Sequence, residues 1–131
     1  MPVDHTVYKL STSRASNTGA SQSYLSAWDS TVVAEAGTIR AVTAVASSLT
    51  SSGRLNSADI YRQPSGTTAA SNSSLPVTTA PLALVGNNTA VVGSIAQSNQ
   101  RVAAGDILQL KTDIGAGEIV GLTATILVLP D

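Results

Sequence analysis

Apolar and polar positions alternate most cleanly between Gly105 and Pro130 (GDILQLKTDIGAGEIVGLTATILVLP). At a period of two, Val120, Leu122, Ala124, Ile126 and Val128 share one face, against Ile119, Gly121, Thr123, Thr125 and Leu127 on the other. Leu108 and Leu110 oppose Gln109 and Lys111 in the same way. The spacing predicts strands over 106–112 and 119–129, each with one buried face. Val, Ile and Thr are stiff at χ1 and suit a pleated surface. Between them, Asp113-Ile114-Gly115-Ala116-Gly117-Glu118 has the glycines and the backbone-bonding aspartate of a turn. The two strands are therefore expected to pair as an antiparallel hairpin, with the rest of the chain packed around it. Ala104-Gly105-Asp106 marks a second turn, leading into the first of them.

Weaker alternation over 3–10 sets Thr6, Tyr8 and Leu10 against His5, Val7 and Lys9 and predicts a short edge strand. Ser11 to Ser23 (STSRASNTGASQS) holds nothing large and apolar, and is expected to be a linker or extended arm. Further strands are predicted over 31–35 and 38–46, broken at Ala36-Gly37. In the second, Ile39, Ala41, Thr43 and Val45 are expected on one face, and Arg40, Val42, Ala44 and Ala46 on the other. Both faces are largely apolar, so this strand should be central. Ser57 to Arg62 is a short strand with Ala58 and Ile60 inward and Asp59 and Tyr61 outward. Gln63 to Pro76 reads as a loop. Short strands should follow over 77–80, 82–85 and 89–96, the last two joined by a Gly86-Asn87-Asn88 hairpin turn. Many short strands without an amphipathic helix define an all-β sandwich or barrel.

Composition supports that class. Ser, Thr and Ala dominate the 131 residues, charged residues make up 11%, and phenylalanine and cysteine are absent. The length fits one domain, able to bury about two-thirds of its unfolded surface. Disulfides and cysteine-bound metals are excluded. A net charge of −1 argues against nucleic acid as a partner. No apolar run of roughly 18 residues exists to span a membrane as a helix, and Met1-Pro2-Val3-Asp4-His5 does not open a secretory signal, so the chain is expected to stay in the cytoplasm where it is made. The Asn-x-Ser/Thr triplets at Asn72 and Asn87 are then chance matches to the glycosylation pattern. Sparse charge is also what surfaces covered by a partner show.

Candidate chemistry is thin. His5 is the single histidine, so a serine triad would have one possible base, and no nucleophile motif accompanies it. Asp106, Asp113 and Glu118 could be read as oxygen ligands for calcium, but calcium sites cluster more oxygens, and turn capping explains these positions. Asp59, Glu35 and the same three acids are the pool for paired-carboxylate chemistry, with no spacing that joins two of them. Trp28 is the single tryptophan, a sugar-stacking platform, an interface anchor or a core residue. No catalytic residue, cofactor or metal is expected, and the chain is not expected to be an enzyme.

Four segments carry a resemblance: Ala36-Gly37-Thr38-Ile39-Arg40-Ala41-Val42, Ala58-Asp59-Ile60-Tyr61-Arg62, Val102-Ala103-Ala104-Gly105-Asp106-Ile107-Leu108-Gln109-Leu110, and Gly121-Leu122-Thr123-Ala124-Thr125-Ile126-Leu127-Val128-Leu129-Pro130. Together they resemble the small jelly-roll β-sandwich of tailed-bacteriophage capsid decoration (cement) proteins, over about 31–131. The resemblance implies an N-terminal arm and linker over 1–23 and a sandwich domain over 24–131. It also implies a virion protein, a homotrimer, that stabilises the shell by non-covalent binding to the major capsid protein. Its interface is expected at Tyr8, Leu10, Arg14 and Trp28. The alternative is a phage tail-fibre or spike tip, or a carbohydrate-binding module, that recognises a host receptor.

Overall fold

A computed structural model describes residues 4–16, 29–49, 56–66, 75–114 and 118–131. These residues form eleven strands, one 3₁₀ turn (Gln97–Asn99) and no α-helix. Two antiparallel sheets face each other. The first is built on β1 (Thr6–Ser16), β11 (Glu118–Pro130), β3 (Gly37–Val45) and β8 (Val91–Val92), in that order. In it β4 (Ser48–Leu49) pairs with β11 and β9 (Arg101–Val102) with β3. The second runs β2 (Asp29–Val32), β10 (Ile107–Ile114), β5 (Asn56–Gln63), β6 (Leu75–Pro76), with β7 (Leu82–Leu84) also on β5. The fold is an all-β sandwich, as its alternation and composition require.

The expected C-terminal hairpin does not form. β10 and β11 follow one another in the chain, yet β10 pairs with β2 and β5, and β11 with β1, β3 and β4. Each is an inner strand of a different sheet. The physical reason is that both strands carry a strongly apolar face. Leu108 and Leu110 on one and Leu122, Ala124, Ile126 and Val128 on the other are buried to within 1%. Facing sheets bury both faces, whereas a two-stranded hairpin would leave one side of each open. The Gly86-Asn87-Asn88 turn is likewise no hairpin: β7 before it lies in the second sheet and β8 after it in the first. Asn88 adopts φ 53°, the left-handed conformation that asparagine tolerates.

Two phase breaks correct the predicted faces. In β3, Ala41 pairs with Leu127 and Ile39 with Val128, so Arg40 is an extra, exposed residue. Ile39 therefore faces inward together with Val42, Ala44 and Ala46, rather than with Ala41. In β11, Gly121 has φ 63°, and the inward set changes from odd to even positions there. Ile119 is fully buried and Val120 half-exposed, the reverse of strict alternation.

β1 begins as the predicted edge strand, and it places Tyr8 and Leu10, expected at an interface, inward. It does not stop at Leu10. Residues 11–16 continue the ladder against β11 as far as Ser16↔Glu118. Serine and threonine supply backbone hydrogen bonds as well as any residue, and this stretch needs no buried face to pair. The edge is protected at Ser11, whose N–H donates to Asp29 Oδ2 at 2.9 Å. The Ala34 N–H donates to the Tyr8 hydroxyl at 3.1 Å and ties β1 to the end of β2.

β5 has the predicted inward pair, Ala58 and Ile60. The segment predicted as a strand over 77–80 contributes only a bridge between Thr78 and Ile95, and 89–96 contributes only β8 and that bridge.

Candidate functional site

The outward side chains of the first sheet form an ordered surface. Register aligns Val7, Leu127 and Ala41 in one row. Lys9, Thr125, Thr43 and Val92 make the next, and Ser11, Thr123 and Val45 the third. Directly opposed side chains in such rows touch. Within these three rows Lys9 is the one charged side chain; Arg14 and Glu118 lie further along β1 and β11, and the exposed Arg40 sits at the bulge in β3. Val7 and Val92, 49% and 72% exposed, lie at the face's two margins. It offers apolar contact and threonine hydroxyls.

The outward face of the second sheet is polar but covered. Gln63, Gln109 and Lys111 are each no more than 6% exposed. Gln109 Nε2 donates to Gln63 Oε1 at 3.1 Å across β10 and β5. Lys111 lies directly opposite Asp59, and its Nζ sits 4.6 Å from the centre of the Tyr61 ring. Burial pushes the Lys111 pKa down, and the charge of Asp59 partly restores it. An unfolded lysine titrates near ~10.4, so in the window just below that value the unfolded chain holds more protons than the folded one. Stability due to Lys111 must then rise with pH through the folded pKa. The difference in unfolding free energy between wild type and Lys111→Met should move towards wild type as pH climbs from neutrality to ~10.4. Urea melts of both chains at a series of pH values measure it; a flat or opposite trend contradicts the assignment.

Asp106 forms a third polar centre, 2% exposed. Its Oδ1 accepts the Ser65 N–H at 2.9 Å, and its Oδ2 accepts the Ala103 N–H at 2.9 Å and Arg62 Nη1 at 3.2 Å. Gly105, at φ 91°, makes the turn that aims it there. These bonds are the turn-capping role. Glu118 pairs with Arg14 Nε at 2.8 Å, and the Asp113 side chain lies outside the described residues. Among the described residues no three His, Asp or Glu side chains approach closely enough to hold a metal.

The expected interface residues fall in different environments. Tyr8 and Leu10 are inside this chain's own core, because β1 packs its even positions inward. Arg14 is exposed and ion-paired. Trp28 lies outside the described residues. His5 is exposed, on the approach to β1. The flat outer face of the first sheet was missed as a unit. The signal was present in Thr123-x-Thr125-x-Leu127, but the rows exist only once the register of four strands is known.

No protein-family model, curated protein or solved structure matches the chain.

Proposed function

We propose that this chain is a structural protein that decorates and stabilises a tailed-phage capsid, bound non-covalently to the major capsid protein and associated as a homotrimer of jelly-roll subunits. The observation that carries the reading is the charge-sparse outer face of β1, β11, β3 and β8. Docking its three central rows strips water from valine, leucine, alanine and threonine with Lys9 as the one charge among them, and uncompensated desolvation of charge is what opposes burial. Strands lie ~4.8 Å apart and successive outward residues ~7 Å apart, so three rows on four strands cover on the order of 300 Å². A standard interface buries about 800 Å² per partner. One such face therefore holds weakly by itself. Joining subunits into a trimer makes the second and third attachments intramolecular and multiplies the hold.

The direct measurement is copy number in purified particles, by quantitative mass spectrometry against the major capsid protein. A ratio of the order of the shell protein's supports decoration, a few copies per particle moves the chain to the tail, and absence overturns the reading. Thr125→Lys places a charge in the middle of the face. It should reduce retained copies at least tenfold while shifting the stability of the free chain by about 0.5–1 kcal/mol. Full retention of that variant would remove this face from the contact.

A further inference from the structure

The other side of the sandwich carries a cleft. The segment running from β6 to β7 pairs with β5 at both ends, Pro76 with Tyr61 and Leu82 with Ala58, but leaves it in between. There the Thr79 N–H donates to the Ser94 carbonyl at 2.8 Å, and Thr78 bridges to Ile95. The Thr78 hydroxyl donates to the Ala80 carbonyl at 2.7 Å, which holds the excursion in shape. The detour opens a space of about 240 Å³ whose walls include Asp59, Tyr61, Pro76, Thr79 and Pro81.

We propose that this cleft binds one neutral pyranose ring of a glycan. Size sets the first limit. The volume is below the ~300–1,000 Å³ of sites for drug-sized ligands, so a single ring fits and an oligosaccharide does not. Charge sets the second. The carboxylate of Asp59 faces the cleft, but Lys111 stands opposite it in the ladder and offsets its charge. Lys111 is 3% exposed and lies against the Tyr61 ring rather than among the residues lining the cleft. The site is thus close to neutral, with no cation to hold a phosphate or carboxylate. Wall chemistry sets the third. Oδ1 of Asp59 is shut off from solvent, so it is the other carboxylate oxygen that can accept from a sugar hydroxyl. The exposed Thr79 adds a hydroxyl that both donates and accepts. Tyr61 and the two prolines supply flat apolar edges for the C–H face of a sugar. Acceptor, hydroxyl and apolar edge together fit a polyhydroxylated ring better than a hydrocarbon or an ion. The cleft opens on the second sheet, away from the face proposed to dock, and binding there is tested on the free chain, independently of any capsid.

The experiment is a ¹H–¹⁵N NMR titration of the full chain with the methyl glycosides of glucose, galactose, mannose and N-acetylglucosamine, and with glucuronic acid as the anionic control. The expected result is saturable shifts confined to residues 59–61 and 76–81 for at least one neutral sugar, with a Kd in the range of roughly 1–10 mM for so small a contact. Thr79→Trp fills the cleft from an exposed position and should abolish them, and Asp59→Asn should weaken binding at least tenfold. Three outcomes overturn the proposal: no saturable shift with any neutral sugar at about 100 mM, shifts that map elsewhere or survive Thr79→Trp, or tighter binding of glucuronic acid than of the neutral sugars.

Discussion

Gly121→Val is expected to destabilise the sandwich strongly. Gly121 sits at φ 63°, and a Cβ built there collides with Ser47 Oγ and comes within 3.0 Å of Ser47 Cβ. A β-branched residue in the left-handed region is a steric outlier, at a strain of about 1–3 kcal/mol. Overpacking against Ser47 adds about 1–3 kcal/mol more. The sum, roughly 2–6 kcal/mol, is comparable with the ~5–15 kcal/mol that holds a typical domain folded. The backbone cannot relax easily, because the Ser47 N–H donates to the Val120 carbonyl at 2.9 Å and is within 3.3 Å of that of Gly121. The fold-wide consequence is the phase of β11. Gly121 lets Ile119 and Leu122, three positions apart, both face the core. Urea denaturation of Gly121→Ala in the native background and with Ser47→Gly separates the two contributions. Removing Ser47's side chain should recover the collision but not the strain. A Gly121→Val chain within 1 kcal/mol of wild type would show that the break in β11 is not held by this glycine.

Asp106→Ala should follow closely, at about 3–5 kcal/mol. The carboxylate takes two backbone N–H groups and the Arg62 guanidinium, and the Arg62 side chain is only 15% exposed. Truncation leaves a largely buried cation without its anion, and that loss, rather than the net worth of the pair, sets the scale. Asp106→Asn should fall between wild type and alanine. It keeps the shape and one acceptor but turns an amide donor towards other donors. Denaturation midpoints of the three chains give the order directly. An alanine variant as stable as the asparagine variant would mean that the ion pair, not the turn, dominates, and an asparagine variant as stable as wild type would mean the reverse.

The pattern of side chains made the strands legible, and the way they are connected was not. Alternation located β3, β5, β10 and β11 to within about two residues, and with them most of the core. What alternation cannot register is which sheet a strand joins. Gly86-Asn87-Asn88 has the turn chemistry of a hairpin, and so does the loop after β10, yet both connect different sheets. A turn reverses the chain whether it ends beside the previous strand or above it. Only the competition between buried faces decides. Arg40 and Gly121 were missed for a related reason. A bulge leaves composition unchanged and inverts every side chain beyond it, so a strict period of two carries the error along the strand. Ser11 to Ser16 look like linker because pairing at a sheet edge asks for backbone groups rather than apolar side chains. Lys111 and Gln109 were placed on the correct face, but their burial depends on what lies over that face. The cleft had no sequence signature, since it arises where 78–81 leaves β5.

The pairing of β1 with β11 joins the first and last strands described, Thr6 meeting Val128. A ribosome that has made β1 must still add every intervening strand before it makes β11. Tyr8 and Leu10 therefore lack their main partner strand while the intervening strands emerge, and the first sheet cannot close until β11 is free of the exit tunnel. Closure of so long a loop also limits the refolding rate, placing it with the millisecond-to-second β-sandwiches rather than the faster helical folds. For the whole of that interval the apolar side of β1 waits for the strand that covers it.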